Sequence, residues 1–97
     1  MKLSPEEFFA RAKLSGWKVV DGHHLSKSYA FPDFGTALDF VNRIGAAAEQ
    51  QGHHPDVHLA WGQVDVDTWS HDVDGVTERD FTLAAEIDRQ FFGGKTR

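Results

Sequence analysis

A chain of 97 residues, with ten Lys and Arg against fifteen Asp and Glu, carries a net charge of −5. It has room for one domain spanning 1–97, and an acidic surface without a basic run excludes phosphate-backbone binding. The absence of cysteine excludes disulfides, thiolate zinc sites and thiol catalysis. The absence of a long apolar run or signal-peptide core sets a cytoplasmic expectation, with no membrane partner.

Ser4-Pro5-Glu6-Glu7 opens like a helix, with Ser4 as cap, Pro5 at the first helical position and Glu7 closing a capping box. That helix is expected to reach about Leu14 and to end at Gly16. Trp17–Val20 and Leu25–Phe31 follow as strands, the second placing Leu25, Lys27, Tyr29 and Phe31 on one face. Asp21-Gly22 supplies the turn between them.

Pro32-Asp33 stops the strand, and Asp33 can cap the helix that follows. Phe34, Leu38, Val41, Ile44 and Ala48 recur at helical spacing up to about Gln51-Gly52. Gly35 and Gly45 inside this helix suggest close packing. A second hairpin is expected from Val57, Leu59 and Trp61 on one strand and Val64, Val66, Thr68 and Ser70 on its partner. Gly62-Gln63 forms the turn. Thr77-Glu78-Arg79-Asp80 opens the last helix as a capping box with Asp in the usual Glu place. Its apolar face is Phe81, Ala84, Ile87 and Phe91, and Gly93-Gly94 is expected to end it.

The fold class expected is α+β in the order α-β-β-α-β-β-α. This is a four-stranded antiparallel sheet with three helices packed on one face and the other face partly open.

Six histidines are unusual for so short a chain, and the residue suits proton transfer or metal binding. Glu49 and His53 are four apart across a helix end and can be neighbours. Pro55 ends the helix, which leaves His53 and His54 at a helix-to-strand junction pointing different ways. His71 ends the fourth strand, on the face of Asp65, Asp67 and Trp69. Read singly, each of these has a plain alternative as a solvated polar residue, and Asp80 is explained by capping. His23 and His24 follow a hairpin turn and read as exposed polar residues. A metal site is disfavoured, because Pro55 breaks the His54/His58 spacing and no HExxH pattern occurs.

Taken together, Glu49, His53-His54-Pro55, Trp61, His71 and Asp80 resemble the signature of the pterin-4a-carbinolamine dehydratases. Gly75-Val76-Thr77-Glu78-Arg79-Asp80 also resembles that family's stretch. The resemblance implies dehydration of a 4a-hydroxytetrahydropterin to a quinonoid dihydropterin, supporting tetrahydrobiopterin recycling. The proton transfers fall to histidine, with no metal or redox cofactor. It implies His53 and His71 as acid and base without saying which is which, and His54 as a pterin-holding residue that can share the proton work. It implies a pterin site lined by His53, His54, Pro55, Ser70, His71, Asp72 and Val73. Glu49, Asp80, Trp61 and Arg79 are supporting groups.

Some members of that family carry an acidic residue where this chain has Gly52, which bears on the orientation of His53. The implied partners are the pterin itself, a second copy in a homodimer or homotetramer, and an aromatic amino acid hydroxylase. The resemblance also admits a non-catalytic dimerisation, coactivator or assembly role on the same fold.

Overall fold

The computed structural model describes residues 16–95. Six elements follow in order: β1 Lys18–Val20, β2 His24–Ala30, α1 Phe34–Gln51, β3 Asp56–Ala60, β4 Gln63–Thr68 and α2 Glu78–Lys95. The strands form one antiparallel sheet in the order β1-β2-β4-β3.

This corrects the three-helix layer expected from the sequence. Among the described residues the order is β-β-α-β-β-α, with two helices. The helix expected from Ser4 to about Leu14 lies outside the described residues. The glycine pair failed as a stop, since α2 runs through Gly93 and Gly94 to Lys95. A glycine inside a helix costs only about 1 kcal/mol, which the preceding turns can absorb.

The two hairpins arise as the alternation indicated. Leu25 pairs with Thr68 and Tyr29 with Val64, so the inward faces of β2 and β4 coincide. Leu25, Val64, Val66 and Thr68 are fully buried under the helices. Ser26, Ser28, Asp65 and Asp67 alternate onto the opposite face, where Ser28 Oγ donates to Asp65 at 2.6 Å. Gly62 returns the chain between β3 and β4. Its carbonyl accepts from Phe31 N, and a Cβ there would stand 3.0 Å from the Phe31 carbonyl oxygen.

Asp33 caps α1 by accepting from Thr36 N at 2.8 Å. The inward stripe of α1 is Ala37, Phe40, Ile44, Ala47 and Ala48. Phe34 and Leu38, expected on that stripe, are exposed. Large Phe40 and Ile44 alternate with small alanines on the buried face. Two large residues one turn apart were a poor guide to the buried face. Gly35 and Gly45 lie on the exposed side. Among the described residues, nothing lies within 4 Å of a Cβ built at Gly45, so close packing does not explain it.

Phe81, Leu83, Ala84 and Ile87 of α2 complete the core with Trp17, Leu25, Tyr29, Phe40, Val64 and Val66. Each large side chain buried there contributes about 1.5–3 kcal/mol. A polar strut crosses it: Asp88 accepts from Trp17 Nε1 at 3.1 Å, Lys27 Nζ at 2.8 Å and Tyr29 Oη at 2.6 Å. Burial, then the hydrogen bond and charge of Asp88, push the Tyr29 hydroxyl far above the usual tyrosine range. Tyr29 is the sole tyrosine, so tyrosinate absorbance reports it directly. The raised folded value means that its stability contribution is complete below about pH 10, the unfolded value, and is lost above it. In an alkaline titration the tyrosinate signal should therefore rise together with loss of circular dichroism. A signal rising while the fold stays intact would contradict the strut.

Candidate active site

The end of α1 decides where the histidines go. Gly52 adopts the left-handed conformation, φ 65° and ψ 29°. Its N–H reaches the Glu49 carbonyl, and His53 N–H reaches the Ala48 carbonyl at 3.2 Å. This is a Schellman closure, and it reverses the chain so that His53 turns back under the helix. Gly52 is thus a conformational requirement at this position. Among the described residues no atom lies within 4 Å of a Cβ built at Gly52. Gly52→Ala should therefore cost about 1–2 kcal/mol through backbone strain alone, without a clash. Urea unfolding of the variant measures this, and an unchanged midpoint would show that the left-handed turn is not needed.

His53 is 9% exposed, and its Nε2 lies 2.6 Å from Asp80 Oδ1. Asp80 is fully buried. Its Oδ1 also accepts from Thr68 Oγ1 at 2.6 Å. Its Oδ2 accepts from Ser70 Oγ at 2.8 Å and from Thr77 N at 2.9 Å. Within Asp80 the two oxygens divide the work: Oδ2 closes the start of α2, as the capping reading expected, and Oδ1 pairs with His53. Since an ionised carboxylate only accepts, the partner assigns a proton to His53 Nε2, which leaves the lone pair on Nδ1.

Glu49 does not pair with His53, as its spacing suggested. Its Oε2 stands 2.6 Å from His54 Nε2, with both side chains exposed. The reversal at Gly52 breaks the helical spacing on which that expectation depended. His53 goes inward and His54 stays outside with Glu49.

β4 ends at Thr68, and Ser70 makes an isolated bridge to Gly75. His71 therefore sits in the turn 71–74 rather than at a strand end. Ser70 is needed inward by Asp80, and the chain leaves the sheet from there. The His71 ring stacks on Trp69, with centroids 4.5 Å apart and planes 24° apart.

A cleft of about 420 Å³ gathers Gly52, His53, His54, Trp69, His71, Asp72 and Arg79. All three histidines singled out in the sequence therefore face one space, along with Asp72 and Arg79. Arg79 Nη2 donates to Asp72 at 2.7 Å, and this hydrogen bond holds the Asp72 carboxyl below the usual carboxylate range. Ser70 lies behind the cleft, buried against Asp80 and Thr77. Pro55 lines a neighbouring hollow with Glu49, His54 and Val57. Val73 is half-buried in the turn, outside the cleft lining, and Trp61 stands 68% exposed in the β3–β4 turn. Trp69 was missed as a site residue, although the alternation of β4 already placed it two residues before His71. Among the described residues no group of three or more His, Asp and Glu is arranged to hold a metal ion.

A buried carboxylate–histidine pair beside two further histidines has the groups that proton transfer requires. Comparison with known proteins gives the family of the chain. The family model for pterin 4 alpha carbinolamine dehydratase matches residues 1–90. The chain belongs to the pterin-4a-carbinolamine dehydratase family. A protein of Rubrobacter xylanophilus, provisionally named as such a dehydratase, is 52% identical over 77 residues, covering 79% of this chain and 72% of that one. A relative from Thermosynechococcus vestitus, named in the same way, is 45% identical over 87 residues, covering 89% and 90%.

Among solved structures, the transcriptional coactivator/pterin dehydratase of Brucella melitensis superposes with a TM-score of 0.88 at 34% identity, covering 93% of this chain and 98% of that one. A pterin dehydratase-like protein identified as a RuBisCO assembly factor shares the fold, with a TM-score of 0.67 at 20% identity over 79% of this chain and 90% of its own. Among the described residues of this dehydratase-family chain, no helix is long and apolar enough to cross a membrane.

Proposed function

We propose that this chain dehydrates a 4a-hydroxytetrahydropterin to the quinonoid dihydropterin. The observation that carries this reading is the convergence of His53, His54 and His71 on one polar cleft, with His53 locked by buried Asp80. The reaction needs a proton placed on the 4a-hydroxyl oxygen, so that the C4a–O bond breaks and water leaves. It also needs the N5 proton removed, so that the N5 electron pair closes the C4a–N5 double bond. Imidazoles suit both transfers near neutral pH. His53, with Nε2–H held by Asp80, offers Nδ1 as acceptor, and the carboxylate opposes the charge that arrives with a second proton. His54 and His71 are the remaining donors or acceptors at the cleft, and Asp72 and Arg79 provide polar contacts to the flat pterin.

The reaction needs no redox cofactor, since no electrons are gained or lost overall, and both of its proton transfers lie within the reach of imidazole chemistry without a metal. Cytoplasmic location, supply of substrate by an aromatic amino acid hydroxylase and assembly as a dimer or tetramer belong to the same proposal. Exposed Phe34, Leu38, Val57 and Phe92 support self-association. A purely structural role would account for Asp80 as a cap but not for the gathering of His53, His54 and His71 on one cleft. The deciding experiment follows loss of 4a-hydroxytetrahydropterin absorbance with purified protein. Acceleration over the spontaneous reaction is expected, and an unchanged rate refutes the proposal.

A further inference from the structure

His53 is held by Asp80 and His54 by Glu49, whereas His71 is exposed and, among the described residues, neither of its ring nitrogens has a hydrogen-bond partner. A proton-transfer group on a four-residue turn loses rate if its ring wanders, because a misplacement of about 1 Å can cost a hundredfold. What holds this ring is the Trp69 indole, stacked at 4.5 Å.

The indole is itself braced from another part of the chain. The rings of His23 and His24, from the turn between β1 and β2 and the start of β2, lie 5.2 Å and 5.7 Å from it. The two imidazoles meet through their Nδ1 atoms at 3.1 Å. His23 Nε2 then reaches Asp74 Oδ1 at 2.8 Å, at the far end of the turn that carries His71. His24 Nε2 lies 3.9 Å from Asp67 on β4. The turn is thus tied at both ends: Trp69 grips it before His71 and His23 grips it after. Asp74 has φ 52°, a conformation that costs a non-glycine residue free energy, so the turn is not in its most relaxed form.

We propose that Trp69 is a positioning residue for His71, held in place by the His23–His24 pair and its link to Asp74. This builds on the dehydratase reading but concerns residues which that reading does not use. Trp69 does not need to touch the substrate, since its ring is already occupied by His71 and the two bracing imidazoles.

The test uses the full chain and two independent readouts. In nuclear magnetic resonance spectra the His71 ring protons should lie upfield of free imidazole, because the indole ring current shields them. The displacement should vanish in Trp69→Leu and persist in Trp69→Phe. In the dehydration assay, Trp69→Leu should lower kcat about tenfold with KM within about twofold, and Trp69→Phe should restore most of it. In the His71→Ala background, Trp69→Leu should add little, since the two act as a unit. His23→Gln and Asp74→Asn should each give a smaller kcat loss in the same direction.

Unshielded His71 protons in the wild type would overturn the proposal whether or not the protein is active, and they do not depend on any variant folding. A Trp69→Leu loss that multiplies fully with that of His71→Ala would also overturn it. An inactive wild type with shielded His71 protons would instead count against the dehydratase reading alone.

Discussion

A His53→Ala variant dehydrates 4a-hydroxytetrahydropterin at least about a hundredfold more slowly than the wild type, and His71→Ala does the same. The two losses arise differently. His53 is buried, and Ala there removes the ring that Asp80 holds at 2.6 Å. Asp80 keeps Thr68, Ser70 and the Thr77 N–H, so the start of α2 remains closed and the variant stays folded. His71 is exposed, and its replacement costs little packing. Stopped-flow absorbance measures both rates, and thermal melts confirm that the fold survives. If either variant retained the wild-type rate in a folded protein, that histidine would have no part in the proton transfers.

The second large effect falls on Asp80. Asp80→Ala leaves four buried donors without their shared acceptor. Breaking a buried charged network from one side costs about 3–5 kcal/mol, a large fraction of the stability of so small a chain. Asp80→Asn separates the two functions of the side chain. The Thr77 N–H cannot reverse its polarity, so the amide oxygen takes the position of Oδ2. The amide NH2 then faces Thr68 and His53. The Thr68 hydroxyl can rotate to accept, but His53 must give up its Nε2 proton and carry it on Nδ1 instead. Asp80→Asn should therefore stay folded, with a loss of about 1–3 kcal/mol, and still lose about as much rate as His53→Ala. Urea unfolding and the dehydration assay, run side by side, measure this. Asp80→Asn with near wild-type activity would mean that the His53 tautomer is immaterial.

Much of the fold was legible in local pattern. Alternation in Leu25–Phe31 and Val64–Thr68 located the paired strands, because a sheet with one covered face buries every second residue. Asp33 and the Thr77–Asp80 box announced both helix starts, because capping depends on residues within one turn. The buried stripe of α1 was less legible. Helical spacing placed Phe34 and Leu38 on it with Ile44 and Ala48, yet only the latter two are buried, joined by Ala37, Phe40 and Ala47. Hydrophobic spacing records that a helix has an apolar side, whereas the extent of the neighbouring layers decides which turns of that side are covered.

The candidate site divided in the same way. The histidine set, the helix-to-strand junction and the dehydratase family were all contained in the order of residues along the chain. The partner of His53 was not, since Asp80 lies 27 positions away. Neither was the exchange that gave Glu49 to His54. A single left-handed residue, Gly52, reverses the chain after α1 and sends consecutive histidines to opposite environments. The brace on His71 likewise joins the β1–β2 turn to residues 69–74 across more than forty positions. The sequence by itself determined the histidine set, the junction that carries His53 and His54, and the family of the chain. Only the tertiary structure decided which carboxylate holds which ring. Hydrogen bonds of that kind depend on chain direction at a turn and on packing between distant strands, and neither is encoded in residue spacing.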